Sequence, residues 1–332
     1  MKIVRNLLKP ALKELLRDSL GNRDFLSFLI LFKRAVNIEL NLMQNCSPKI
    51  CAVIVTYNIG QDIFRCLNSA INQVSEAVIV DNGSDTKTVN VLRDIKKKFN
   101  KVKLIENKEN LGIAAALNQG VKYAISKNYE WVLTLDHDSE VGDGMVQNML
   151  EAFNSLNDKK KESIGIIAPN YEIVKGLVYK EKFPTIISTA ITSGQLVKTE
   201  IFEKIGFYKE DLFIECVDHE FCLRAKKRGF KTLLVPRAVL KQQIGMPKVY
   251  NLFFKRTVAA NHSPLRYYYL YRNSIYIYKS YFTVAPGWIF KNIISNKILF
   301  LKILFFENDK IKKISAIIKG CFDGIRNKYG EY

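Results

Sequence analysis

Two carboxylates one residue apart, Asp136 and Asp138, stand at the end of the apolar run Trp131-Val132-Leu133-Thr134-Leu135. Side chains i and i+2 of an extended chain leave on the same side. At the carboxyl end of a strand both groups therefore face one ligand. Such a pair suits a hard divalent cation, Mg²⁺ or Mn²⁺, which needs only one or two carboxylates when substrate phosphates complete its shell. An acidic turn after a strand is the plainer alternative for an isolated Asp-x-Asp. Polar and glycine-bearing stretches recur upstream: Val55-Thr56-Tyr57-Asn58, Val80-Asp81-Asn82-Gly83-Ser84, and Asn110-Leu111-Gly112 ahead of Asn118.

The elements that must position these stretches are legible around them. Residues 50–57 read as a buried strand, 61–74 as a helix, 77–80 as a strand and 88–99 as a helix. Residues 102–106 read as a third strand, 113–128 as a helix and 131–135 as a fourth strand. Strand and helix alternate with short connections, which predicts an α/β domain built on a doubly wound, mostly parallel sheet, with the polar stretches on one rim. Residues 1–45 read as helical, with Leu7, Leu8, Ala11, Leu12, Leu15 and Leu16 on one stripe. The expected organisation is a helical N-terminal arm (1–48), a catalytic domain (49–245, divided near 140) and a basic, Tyr-rich, helical C-terminal region (246–332).

The order and spacing of these stretches resembles family 2 glycosyltransferases of the GT-A fold. The likeness continues through Thr192-Ser193-Gly194, residues 212–224 and the run from His262 to Asn273, where it is most similar to the bacterial rhamnosyltransferase branch. The resemblance implies a nucleotide-sugar donor held by Thr56, Tyr57, Asn58, Asp81, Asn82, Gly83, Asn110, Gly112, Asn118, Asp136 and Gly194. It implies Asp81 as the reader of a pyrimidine imide and Asp138 as the direct ligand of Mg²⁺ or Mn²⁺. Asn110 and Gly112 also sit where a helix begins, so free N–H groups there suit an anion, and an N-cap without a ligand is the alternative.

An acceptor hydroxyl that attacks an anomeric carbon opposite a diphosphate must lose its proton to a base, with inversion at that carbon. The resemblance puts Asp218 in that position, with Glu220 and Glu215 as alternates; acidic residues at a helix start also favour the dipole without any chemistry. Arg266 and Arg272 suit the departing diphosphate, although a Tyr-rich packing helix also accounts for their surroundings. One departure stands out. Gln242 occupies the place where related sequences usually carry histidine, and an amide is a poorer divalent-metal ligand than imidazole. Either Asp138, phosphates and water hold the metal, or His262 joins them.

The net charge of +19 over 332 residues is uneven: residues 1–49 carry +5, residues 240–332 carry +12, and the long middle only +2. Basic ends call for an anionic partner, a membrane surface or nucleic acid. No RRM, KH or zinc-finger motif is present, so nucleic acid is not expected. Six cysteines without a CxxC pair read as reduced thiols of a cytosolic protein. No signal peptide is visible, and the apolar stretches 25–32 and 299–306 fall far short of the ~20 residues that span a bilayer. In the tail, Ile311, Ile314, Ile317, Ile318, Cys321, Phe322 and Ile325 share a helical face, fit either to lie on a membrane or to cover the sheet.

The expectation is therefore an inverting transferase moving a sugar, foremost L-rhamnose from dTDP-L-rhamnose, onto a polyprenyl-diphosphate-linked surface glycan of the O-antigen or capsule type. It would be a peripheral protein on the cytoplasmic face of a bacterial plasma membrane. A UDP-hexose donor is the near alternative, and a basic nucleic-acid-binding protein the alternative from another class. A sugar nucleotidyltransferase would need a Gly-rich stretch and lysine after residues 50–55, and these are absent.

Overall fold

Ile50–Thr56 (β1) is buried along its whole length, as an unbroken Ile-Cys-Ala-Val-Ile-Val run requires when both faces of a strand are covered. The computed structural model describes residues 48–332 except 61, 174–175, 243–247, 253–254 and 260, with the backbone alone at 248–252 and 255–259. The chain divides into two compact units, Met1–Pro48 and Lys49–Tyr332. The helices expected within residues 1–45 lie outside the described residues.

From β1 the chain runs through Ile63–Ala70 (α1), Glu76–Asp81 (β2), Thr86–Lys98 (α2), Val102–Glu106 (β3), Ile113–Ser126 (α3) and Trp131–Asp136 (β4). Ser139–Val141 (β5), Met145–Asn154 (α4), Asp158–Ser163 (α5), Ile164–Ile173 (β6), Gly176–Leu177 (β7), Thr185–Ile187 (β8) and Leu196–Lys198 (β9) follow. Then come Thr199–Ile205 (α6), a 3-10 turn at Glu210–Leu212, Val217–Lys227 (α7), Lys231–Gln242 (β10) and the hairpin Lys248–Leu252 (β11) and Lys255–Ala259 (β12). Three helices close the chain: Pro264–Tyr281 (α8), Pro286–Phe306 (α9) and Lys310–Ile325 (α10).

The sheet order is β3-β2-β1-β4-β9-β6-β10-β5. Strands β3, β2, β1 and β4 are parallel, whereas β9 runs antiparallel to both β4 and β6. The parallel half is thus the one that carries the polar rim, and the second half is mixed. The chain leaves β1 for β2 and β3, then returns on the other side of β1 as β4. A crevice opens at such a switch point, outside the carboxyl ends of the strands. Register puts Val55 beside Asp136 and Thr56 beside Asp81.

The two-residue period of β1 sorts the core. Ala52 and Ile54 pack with Ile63, Leu67 and Met145, while Cys51, Val53 and Val55 pack with Ala114, Leu117, Val121 and Phe221. Gly120 lets α3 cross β1 closely, since a Cβ there would collide with the Val53 side chain. All five described cysteines are free, and only Cys321 is not fully buried.

Of the two orientations open to the tail, most of its apolar face takes the outward one. Ile317 is buried, but the rest of the packed face of α10 is Lys313, Gly320, Asp323 and Gly324, while Ile311, Ile318, Phe322 and Ile325 are exposed. The reason is backbone proximity: a Cβ at Gly320 or Gly324 would run into the carbonyl oxygens of Tyr268 or Arg272 on α8. Lys313 is tolerated inside because its ammonium donates to Glu307 Oε2 (2.9 Å) and Asn261 Oδ1 (2.7 Å), with the Tyr267 hydroxyl donating to the same carboxylate (2.8 Å). The apolar side of α10 faces outward.

Candidate active site

The rim of the parallel strands is tied together by two residues that end β2. Asp81 is fully buried; its carboxylate accepts from Thr56 Oγ1 (3.1 Å), from the Ser84 amide (3.0 Å) and from Ser84 Oγ. Ser84 Oγ in turn accepts from the Asn58 amide (2.8 Å). Asn82 bridges the other way: its Nδ2 donates to Asn110 Oδ1 (2.8 Å), and its Oδ1 accepts from the Leu111 amide (3.1 Å) and Asn107 Nδ2 (3.1 Å). Three loops are thereby fixed before any ligand arrives. Tyr57 is left exposed beside them.

Gly112 precedes α3 with φ +83, a conformation that suits glycine. A Cβ there would lie 2.8 Å from the Phe213 carbonyl oxygen, which accepts from the Ile113 amide (2.8 Å). Gly112 therefore seats this rim against the loop that begins at Phe213. Gly83, φ +81, abuts the backbone of Glu109 in the same way.

Asp136 ends β4 directly across from Val55, its amide bonded by Ser193 Oγ at 3.0 Å. Burial pushes its carboxyl up to about 7, helped by the nearby carboxylates Asp138 and then Asp218, and opposed by Arg266. Asp138, the expected base Asp218 and Arg266 are thus charged neighbours of the buried Asp136 carboxyl. Asp218 lies in the first turn of α7 and is partly exposed. Arg266, in the first turn of α8, is clamped by Glu215 through Nε (2.6 Å) and Nη2 (2.5 Å). Gln242 reaches the Asp136 carboxyl, where Nε2 donates to Oδ2 (3.3 Å) and the buried Oε1 finds no partner among the described residues.

The loop before Asp218 is strained. Phe213 (φ 62), Glu215 (φ 66) and Cys216 (φ 62) all take left-handed backbone, which for non-glycine residues persists only where surroundings enforce it. Enforcement comes from α8. Asn273 Nδ2 donates to the carbonyls of Leu212 (2.9 Å), Ile214 (2.8 Å) and Glu215 (2.9 Å). Arg272 donates to the carbonyls of Asp211 (3.1 Å), Leu212 (3.1 Å) and Gly330 (2.6 Å).

Several expected site residues sit elsewhere. Arg272 is buried with its guanidinium consumed by main-chain carbonyls, so it positions the loop rather than facing a diphosphate. Glu220 is buried, paired with Arg224 (2.9 Å) and accepting from the Tyr281 hydroxyl (2.6 Å), which takes it out of the cleft. Asn118 is buried one helical turn inside α3, where it bonds the Tyr208 carbonyl and Glu210. Gly194, φ +83, donates its amide to Thr134 and packs against Pro169 and Leu240. His262 packs edge-on against Tyr267, and burial, Arg266 and Lys313 hold its imidazole down to about 4. Among the described residues no three His, Cys, Asp or Glu side chains converge as a metal cage. Asn273, which closes the run beginning at His262, is the loop-holding side chain to which the sequence assigned no role.

A switch-point crevice with carboxylates at the strand ends suits a nucleotide-sugar ligand, and the relatives are of that class. Residues 51–205 match the model of the family described as glycosyl transferase family 2. The protein is a glycosyltransferase, similar over that segment to family 2 and over most of its length to a rhamnosyltransferase. It is 29% identical over 301 residues to the dTDP-rhamnosyl transferase RfbF of Shigella flexneri, covering 86% of this chain and 98% of that one. It is 24% identical over 317 residues to the low-salt glycan biosynthesis hexosyltransferase Agl10 of Haloferax volcanii, covering 87% and 95%. The fold matches the crystal structure of GalNAc-T7 with UDP, GalNAc and Mn²⁺ at a TM-score of 0.56 and 17% identity, over 73% of this chain and half of that one.

Proposed function

We propose that the protein transfers L-rhamnose from dTDP-L-rhamnose, with inversion, onto a polyprenyl-diphosphate-linked bacterial surface glycan. The observation that carries this reading is the Asp136 carboxyl at the end of β4, bonded by Gln242 and with Asp138, Asp218 and Arg266 as its charged neighbours. The likeness to a dTDP-rhamnosyl transferase over nearly the whole of that relative supports the donor.

In this reading the nucleotide lies on the rim fixed by Thr56, Tyr57, Asn58, Asp81, Asn82, Gly83, Asn110 and Gly112. Asp218 accepts the proton of the acceptor hydroxyl, on the far side of the anomeric carbon from the diphosphate. Arg266, released from Glu215, meets the diphosphate as it departs. The cleft fits Mg²⁺ or Mn²⁺ as a site completed by substrate phosphates: hard oxygens of Asp138 and Asp136, two carboxylates that repel each other without a cation, and the unpartnered Gln242 Oε1 beside them. Bound there, the cation would offset the negative charge of the leaving diphosphate. His262 is not part of that set.

The same reading puts the protein on the inner face of the plasma membrane. No described helix is long and apolar enough to cross a membrane. Yet Phe290, Ile294, Ile298, Leu301 and Phe305 form one stripe along α9 that is 50–69% exposed, and the apolar side of α10 is exposed as well. Lys291, Lys297, Lys310, Lys312 and Lys319 flank these faces. Apolar stripes edged with lysine suit a helix pair lying in an anionic interface.

The test is transfer itself. A panel of dTDP- and UDP-sugars is offered with lipid-linked and soluble glycans, and thermal protection by each donor is read in parallel. Protection and transfer with dTDP-L-rhamnose alone support the proposal; preference for a UDP-hexose replaces the donor.

A further inference from the structure

Between α8 and α9, beneath the exposed stripe, lies an apolar groove of about 460 Å³, within the size range of small-molecule sites. Its walls include Tyr271, Ile275 and Tyr278 of α8, Ile293 and Phe300 of α9 and Cys321 of α10. The polar atoms of these walls are spent on one another. The Tyr271 hydroxyl donates to the Asn296 carbonyl (2.7 Å), the Tyr278 hydroxyl to Asn292 Oδ1 (2.7 Å), and Asn296 Nδ2 to Ser274 Oγ (3.1 Å). What faces the groove is hydrocarbon.

We propose that this groove holds the isoprenoid chain of the lipid-linked acceptor, an inference that rests on the transfer reaction proposed above. Three observations converge on that occupant. The groove is continuous with the outward apolar stripe, because Leu301 lines it and is also half-exposed. Lys297 lines it too and is exposed, so a cation stands ready for the diphosphate that joins the chain to its sugar. And one wall of the groove touches the loop before the proposed base: Ser274 Oγ lies 3.9 Å from Cys216 Sγ, two residues before Asp218 in the chain. Ser274 and Arg266 share α8 eight residues apart, roughly 12 Å along the axis at the helical rise. A chain seated in the groove leaves its diphosphate and first sugars on the Asp218 side.

The test uses the full-length protein with farnesyl phosphate as probe. Farnesyl phosphate should raise Tm and shield Cys321 from alkylation, read by peptide mass, while inorganic phosphate does neither. Ile293→Trp and Ile275→Trp, which fill the groove, should weaken farnesyl phosphate at least tenfold and raise KM for a farnesyl-diphosphate-linked acceptor by a similar factor. Affinity for the nucleotide-sugar donor should not change. The proposal is overturned if Cys321 is not shielded in the native protein, or if folded Trp variants bind the probe as the native protein does. It is equally overturned if light scattering shows a dimer that Ile293→Trp dissociates, since the groove would then belong to a second copy. Failure of the underlying reading looks different: no rhamnose would reach any glycan, lipid-linked or soluble. Failure of the groove alone leaves transfer intact, with a KM indifferent to the chain.

Discussion

Arg272→Met separates loop positioning from diphosphate binding. The substitution keeps the length and apolar body of the side chain and removes three donors to the carbonyls of Asp211, Leu212 and Gly330, a bond to Asn273 Oδ1, and the guanidinium stacked 4.7 Å from the Tyr269 ring. Hydrogen bonds from a charged group are worth about 1.5–3 kcal/mol each, but removing a buried charge also relieves desolvation. Asn273 still holds the Leu212 carbonyl. The expected net cost is therefore about 3–5 kcal/mol, less than the sum of the bonds. At about 2 °C per kcal/mol for a chain of this size, Tm should fall by roughly 6–10 °C. Scanning calorimetry reads that fall, and titration calorimetry reads the donor. The loop of residues 213–216 should loosen, so kcat drops while donor Kd stays within about twofold. An unchanged Tm with donor affinity weakened more than about tenfold would refute the reasoning, because the guanidinium would then have to face the diphosphate.

Three further outcomes concern Asp136, Gly112 and Glu220. Asp136 is held up to about 7, so below neutrality the free cleft carries a proton that a cation must expel; affinity for Mn²⁺ with dTDP should fall by up to about tenfold per pH unit below 7 and level off above it. Calorimetry in buffers of different ionisation enthalpy should detect the released proton, and pH-independent affinity would remove Asp136 from the site. Gly112→Ala forces a side chain into the Phe213 backbone at positive φ, and should weaken the donor with the sheet intact by circular dichroism. Glu220→Gln weakens a buried pair with Arg224, and should lower Tm without moving the pH–rate profile.

The parallel half of the sheet was legible because β1, β2 and β4 announce themselves as apolar runs closed by polar residues, and the helices between them carry a 3.6-residue period. Asp81 and Asp136 were legible for the same reason, as the polar residues that close β2 and β4, with Asn82 and Asp138 following just beyond the strands. Residues whose role depends on what a helix packs against were not. Arg272 and Arg266 look alike in a Tyr-rich stretch, yet six residues on α8 turn one into the interior and leave the other at the cleft. Glu220 shares the first turn of α7 with Asp218 but points to Arg224 and Tyr281. On α10 the periodicity was legible and left two directions open; Gly320 and Gly324 decide between them by drawing the small-residue face onto α8. Composition can show that a helix has two faces; which one is buried depends on the neighbour's backbone.

Asp218 as the general base is the claim on which the proposed reaction stands. The direct measurement is turnover of dTDP-L-rhamnose by the native protein and by Asp218→Asn on one acceptor, with donor affinity determined separately. The asparagine keeps the shape and cannot accept the proton. Transfer should fall by about 10²–10⁴-fold with donor affinity retained. Near-native turnover by Asp218→Asn, with loss instead in Glu215→Gln, would contradict the account and move the base to the residue that now clamps Arg266.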